Sequence, residues 1–203
     1  MKIRAFRGLR PIPEKSADIA SLPYDVVNFE QADEQAKGKP LSFMRVVRSE
    51  IELPEGTDPY SDAVYLHAKE NFKKLVDAGY MVREDAPCMY LYRQQMGNHS
   101  QTGLVATFSA EDYDNDVIKK HEKTREAKEN DRYRLTKTLR VNTGPVFLTV
   151  KDGTDLDKIV ENKKDEDALF DFVADDGIRH SVWKISDKET LDKIVETFAD
   201  IPC

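Results

Sequence analysis

One helical period set among short β-rich runs constrains this 203-residue chain most. Val64, Ala68, Phe72, Leu75 and Val76 recur at helical spacing after Asp58-Pro59 and stop at Gly79, which predicts a helix over residues 59–78. Cys88 to Gln94 and Leu104 to Ser109 are β-rich, and the polar Gly97-Asn98-His99-Ser100 between them predicts a hairpin. Asp175-Asp176-Gly177 predicts a second turn, joining an extended Ala168 to Ala174 to a strand over Ile178 to Ile185. Asp187 then caps a helix carrying Leu191, Ile194, Val195 and Phe198. Helices mixed with hairpins, rather than strict strand–helix alternation, make the class α+β: mixed or antiparallel sheets with flanking helices.

The remaining segments are less regular. Eight Gly or Pro residues punctuate positions 1–57, so this part reads as strands and loops with one short helix near 29–37 and a strand over Ser42 to Val47. Residues 122–140 favour helix, with Leu135 and Leu139 on its core face. Asn142-Thr143-Gly144-Pro145 reads as a turn feeding a strand over Val146 to Val150, and Asp155 to Glu161 as helical. The working division is 1–85, strands and loops with the 59–78 helix, and 86–203, an α+β region. A single domain is the alternative.

Composition excludes several classes of function. The net charge of -7 repels nucleic-acid phosphates, so bulk DNA or RNA binding is disfavoured. Cys88 and Cys203 are the only cysteines and form no disulfide framework. The N-terminus has no apolar core of signal-peptide type, and no stretch approaches a membrane span of roughly 20 apolar residues. A cytoplasmic protein without a membrane is the expectation. His67, His99, His121 and His180 share no zinc-ligand spacing with the cysteines, and no glycine-rich phosphate loop or nucleophile elbow occurs. No metal site is expected from these residues.

Charge reverses locally. Residues 119–140 hold nine Lys or Arg against four Asp or Glu, an excess of five positive charges in an acidic chain. His121, Arg125, Lys128 and Arg132 are spaced by four, three and four, which would align them on one helix face. Free N–H groups at that helix's start, the Thr124 hydroxyl, and the Lys123 and Arg125 side chains would together hold a phosphate, with His121 or Glu122 placed for proton transfer. Spacing alone favours the plainer alternative, a solvated face of intrahelical pairs. His121 and Thr124 together at the helix start weigh against it. Elsewhere, Leu22-Pro23-Tyr24-Asp25 places a phenol and a carboxylate in a loop, where a turn with Tyr24 on the core is the stronger reading. Alternation puts His180 and Trp183 on opposite faces of their strand, one of them core.

Several segments, in order, resemble the bacterial and archaeal family known as domain of unknown function 1015. They are Phe6-Arg7-Gly8-Leu9-Arg10-Pro11, Pro23-Tyr24-Asp25-Val26-Val27, Tyr90-Leu91-Tyr92-Arg93-Gln94, Gly103-Leu104-Val105, Ile118 to Arg125, Asp131-Arg132, Asn142-Thr143-Gly144-Pro145-Val146-Phe147, and Asp176 to Trp183. The similarity covers nearly the whole chain. Such proteins run to about twice this length and continue into an Ala-Asp-Gly-His-His-Arg segment. This chain stops at Cys203, where that segment would begin, and is expected to hold only part of a site.

That segment in turn is similar to the Gly-His-His-Arg motif of the ParB and sulfiredoxin-like fold, whose members include free-serine kinases. The resemblance implies an enzyme handling a nucleotide or a small phosphorylated metabolite, with ATP or ADP and magnesium as cofactors; a fold does not fix a reaction. It further implies His121, Lys123, Thr124 and Arg125 as the phosphate-gripping half of the site, joined by Lys128, Arg132, Tyr24, Arg93 and Asn142. Asp25, Glu122 or Asp131 would be the base or metal contact, and cationic side chains would stabilise a transferring phosphoryl group. A non-catalytic ligand-binding or regulatory module is the competing expectation. The number of copies that associate is left open.

Overall fold

The computed structural model describes residues 1–121, 123–150, 156–164, 166–199 and 201. In chain order these form β1 (Ile3–Arg4), β2 (Leu9–Pro11), α1 (Ser16–Ile19), α2 (Phe29–Ala36), α3 (Met44–Val47), α4 (Asp62–Asp77) and β3 (Met81–Arg83). There follow β4 (Met89–Met96), β5 (His99–Val105), β6 (Thr107–Phe108), α5 (Ala110–Asp114), α6 (Glu126–Leu139), α7 (Leu156–Lys164), β7 (Phe170–Val173), β8 (Arg179–Ile185) and α8 (Lys188–Ala199). The class is α+β with antiparallel sheets. Two compact units interleave along the chain: residues 1–13, 83–122 and 147–203 make the first, residues 14–82 and 123–146 the second.

The first unit is organised by an antiparallel sheet of order β5-β4-β8-β7. The β4–β5 hairpin closes on the Met96↔His99 pair, with Gly97-Asn98 as its two-residue turn. Gly97 has φ +56°, the left-handed conformation such turns require and glycine adopts without strain. Side chains alternate along each strand. Met89 and Leu91 therefore share a face with their partners Ile185 and Trp183, and all four are buried with Ile159 of α7 and Ile194 and Phe198 of α8. Trp183 is core while His180, on the opposite face, stacks between Tyr92 and Phe172. Asp187 accepts the Thr190 N–H at 2.8 Å and starts α8 as its sequence implies.

Gly8 fills a different requirement, close approach. A Cβ there would collide with the hydroxyl of Tyr90, which donates to the Glu84 carboxylate at 3.4 Å. We expect Gly8→Ala to cost about 1–3 kcal/mol in urea unfolding, as overpacking does. An unchanged midpoint would show that Tyr90 yields freely.

The second unit is helical. The α4 helix packs against α3 and α6, burying Val64, Tyr65, Ala68 and Leu75 of its own, with Leu135 and Leu139 of α6 also buried. Asn28 and Gln31 form a reciprocal capping box at the start of α2, at 2.8 and 2.9 Å. A smaller core gathers Val27, Ala32, Ala36 and Met44.

Several expectations are corrected. Residues 42–47 form a helical turn, not a strand: the Ser42 hydroxyl accepts the Met44 N–H at 3.3 Å, the Phe43 N–H donates to the Ile19 carbonyl, and Met44 and Val46 are buried. No strand among the described residues pairs with this segment, so its β-branched residues lack the ladder that would make them extended. The region before residue 57 accordingly holds three short α-helices and two 3-10 turns rather than one helix. Val146 to Val150 is not a strand; Val146 is 84% exposed and Phe147 72%. The α4 helix begins at Asp62 because Asp58-Pro59 makes a preceding turn, whose Tyr60 N–H donates to the Asp58 carboxylate at 2.9 Å. The α6 helix begins at Glu126, four residues later than expected, with Arg125 as its N-cap. The helical reading at Asp155 and the terminal Cys203 lie outside the described residues.

Candidate functional site

The late start of α6 dissolves the expected cationic stripe. His121, Lys123, Thr124 and Arg125 precede the helix and are exposed. The Thr124 hydroxyl donates to the Glu129 carboxylate at 2.9 Å, a contact within its own segment. Glu122 lies outside the described residues. Only Lys128 and Arg132 of the stripe are on the helix, four apart and therefore on one face.

That face closes a cavity of about 110 Å³ lying within the second unit. Tyr24, Lys128 and Arg132, all expected at the site, line it together with Arg48, Glu50, Tyr60, Tyr65 and Asp131. Tyr24 reaches it because Pro23 and Asp25 flank it in a turn whose Val26 N–H donates to the Pro23 carbonyl, at 3.3 Å. Tyr24 is half-buried in this turn and lines the cavity.

Arg132 is fixed in two directions. Its guanidinium lies 3.8 Å from the centroid of the Tyr24 ring, and its Nε and a terminal nitrogen donate to Asp131 at 3.1 and 2.7 Å. A guanidinium has five N–H donors; those that Asp131 does not take have no protein acceptor among the described residues. Lys128 sits 5.9 Å from the same ring and has no carboxylate partner among the described residues. Arg48 is more committed, donating to Glu50 at 2.6 Å and to the carbonyls of Tyr24 and Val27 at 3.0 and 2.6 Å.

Asp131 is buried, and its second oxygen accepts the Tyr65 hydroxyl at 2.9 Å. Burial pushes the Tyr65 phenol well above its ordinary pKa, and donation to Asp131 pushes it further. It therefore stays a neutral donor across the physiological range. Burial also raises Tyr24, against the opposing pull of the Arg132 charge. Tyr24 and Tyr65 thus present neutral phenols to the wall, beside the paired carboxylates of Glu50 and Asp131 and the cations Lys128 and Arg132 with donors to spare. Such a set can hold an anion. Among the described residues no group of three or more His, Cys, Asp or Glu could hold a metal ion by itself.

The other expected residues are placed elsewhere. Asp25 is exposed and makes no hydrogen bond or ion pair among the described residues; Asn142 is exposed as well. Arg93 belongs to the first unit, where it donates to Ser181 at 3.0 Å, lies 4.9 Å over the Trp183 ring, and leaves Nε without a partner among the described residues. No sequence spacing brings Arg48 or Tyr65 to this cavity. Tyr65 follows Val64 on the helical face that sequence periodicity marks, while Arg48 follows the segment misread as a strand.

No helix among the described residues is long and apolar enough to cross a membrane. No curated protein and no solved structure matches the chain. The model of the family described as protein of unknown function DUF1015 matches residues 3–203. With the match running through both units, the chain belongs to the DUF1015 family.

Proposed function

We propose that the cavity of the second unit binds the phosphate group of a small phosphorylated metabolite or nucleotide. The observation that carries this reading is Arg132, braced between Tyr24 and Asp131 with donors left over. A guanidinium held in advance loses little freedom when it grips an anion. Lys128, with no carboxylate partner among the described residues, adds a second cation to the wall. Cavities that enclose whole ligands run to about 300–1,000 Å³, so 110 Å³ suits one phosphate group with the rest of the molecule outside. A nucleotide would present its terminal phosphate and leave its base in solvent.

Phosphotransfer of the free-serine kinase type, with ATP or ADP and magnesium, is the finer form of this proposal, as is a ParB and sulfiredoxin-like relationship of the fold. Both rest on resemblance. In that form Asp25 supplies the base, and Lys123, Thr124, Arg125 and Asn142, all of the second unit, supply further contacts. Within the cavity the geometry favours binding over base catalysis, because Asp131 is held by Tyr65 and Arg132, and Glu50 by Arg48. A non-catalytic binding module is the second reading, and those two occupied carboxylates favour it.

The test is calorimetric titration with inorganic phosphate, phosphoserine, and ADP or ATP with magnesium. Hydrogen bonds to charged groups contribute about 1.5–3 kcal/mol, so Arg132→Ala is expected to weaken binding by roughly 10- to 100-fold. Arg125→Ala, at an exposed cap, should weaken it less. Equal affinity in Arg132→Ala and the unsubstituted chain would sink the assignment of the cavity. Loss on Arg125→Ala alone would move the site to the segment before α6.

A further inference from the structure

We propose that the open edge of β5 pairs antiparallel with β5 of a second copy of this chain, joining two four-stranded sheets into one. Among the described residues β5 ends the sheet, with β4 on one side only. Exposed edges of this kind are normally protected by charge, proline, a bulge or shortness. His99-Ser100-Gln101-Thr102-Gly103-Leu104-Val105 has no Lys, Arg, Asp, Glu or Pro in a chain that is 34% charged. Its register against β4 runs unbroken over seven pairs, so no bulge turns it away. The opposite edge differs: β7 has only four residues and carries Asp171, paired with Arg179 at 2.8 and 2.6 Å.

The hydrogen-bonding pattern fits a two-fold pairing. In a hairpin closed by a two-residue turn, the closing pair exchanges both hydrogen bonds and the pattern then alternates. His99, Gln101, Gly103 and Val105 thus bond to β4, and Ser100, Thr102 and Leu104 turn their N–H and C=O groups outward. Placed on a two-fold axis, Thr102 meets Thr102 of the second copy and Ser100 meets Leu104. About six inter-chain hydrogen bonds close. Because the edge is uncharged, self-pairing brings no like charges together despite the net charge of -7.

Gly103 is an independent sign. Its φ is not positive, and a Cβ there would meet nothing within 4 Å, so the single chain gives no reason for a glycine that weakens a strand. In the two-fold pairing Gly103 faces Gln101 of the second copy. The open space at Gly103 receives that longer side chain.

A seven-residue edge is a small interface, so dissociation is expected in the micromolar range. Light scattering should show twice the 23.2 kDa chain mass at about 100 μM and the single mass at about 1 μM. Thr102→Pro removes an N–H that points away from β4 and should leave the hairpin folded but the chain monomeric. Thr102→Lys, which sets two like charges across the axis, should do the same. Over the same dilution of the unsubstituted chain, the Ser100, Thr102 and Leu104 amides should lose protection from hydrogen exchange. A chain monomeric at about 100 μM, a dimer surviving either folded variant, or unchanged protection of those amides would each overturn the proposal.

Discussion

Glu84→Ala is expected to destabilise the first unit by about 3 kcal/mol, read from urea unfolding at neutral pH. The Glu84 side chain is 5% exposed and accepts from Arg10 at 2.5 Å and Lys184 at 2.6 Å, one cation on each oxygen. Its backbone N–H donates to the Gly8 carbonyl at 2.9 Å, and its own carbonyl accepts from Arg7 at 2.7 Å. Truncation leaves two cations facing each other with no anion between them. Breaking a buried pair costs about 3–5 kcal/mol. Arg10 and Lys184 are 19% and 33% exposed and can partly rehydrate, which places the cost at the low end.

The same carboxylate sets an acid limit. Burial by itself raises the Glu84 pKa, but the hydrogen bonds and charges of Lys184 and Arg10 outweigh it and hold the group below the ordinary carboxylate range. A carboxylate depressed in the folded state contributes stability that is present above its unfolded pKa of about 4.3 and is lost as pH falls through the folded value. The difference between Glu84→Ala and the unsubstituted chain should therefore be full at neutral pH and shrink below about pH 4. A difference independent of pH would mean that lost packing, not lost charge, is the cause.

What the sequence reveals of this fold depends on whether a segment's partners are local. The β4–β5 hairpin, the turn at Asp175-Asp176-Gly177 and the Asp187 cap are each fixed by residues within a few positions, and their periodicity is readable. Segments 42–47 and 146–150 carry similar β-branched runs, yet neither finds a strand to pair with; one becomes a helical turn around Met44 and the other stays irregular and exposed. Strand propensity is fitness for a ladder, and the ladder is tertiary.

The candidate cavity divides the same way. Lys128 and Arg132 were legible because four residues is one helical turn. Tyr65 meets Asp131 across 66 positions, and Arg48 meets the Tyr24 carbonyl across 24, distances at which no spacing rule operates. The start of α6 is not legible in the sequence because Glu122 and Glu126 would each suit a helix's positive end. Lys123, Thr124 and Arg125 therefore precede a helix on which the sequence pattern places them.

Asp131→Ala is the variant that tests whether the cavity wall acts as a unit, with an expected loss of about 3 kcal/mol in thermal or urea unfolding of the second unit. Its removal orphans the Tyr65 hydroxyl and frees Arg132, the two groups that hold its two oxygens. Tyr65→Phe removes only the donor to Oδ1 and should cost about 1–2 kcal/mol, the penalty for one unsatisfied buried acceptor. If phenol, carboxylate and guanidinium stabilise one another, the double variant will cost less than the two single costs added, by about 1 kcal/mol. Additive costs would mean that Tyr65 packs beside Asp131 without ordering it. The consequence reaches the ligand, because an Arg132 no longer held by Asp131 keeps only the face of Tyr24 to orient it, and a guanidinium free to rotate surrenders the advantage over a surface arginine on which phosphate binding in this cavity depends.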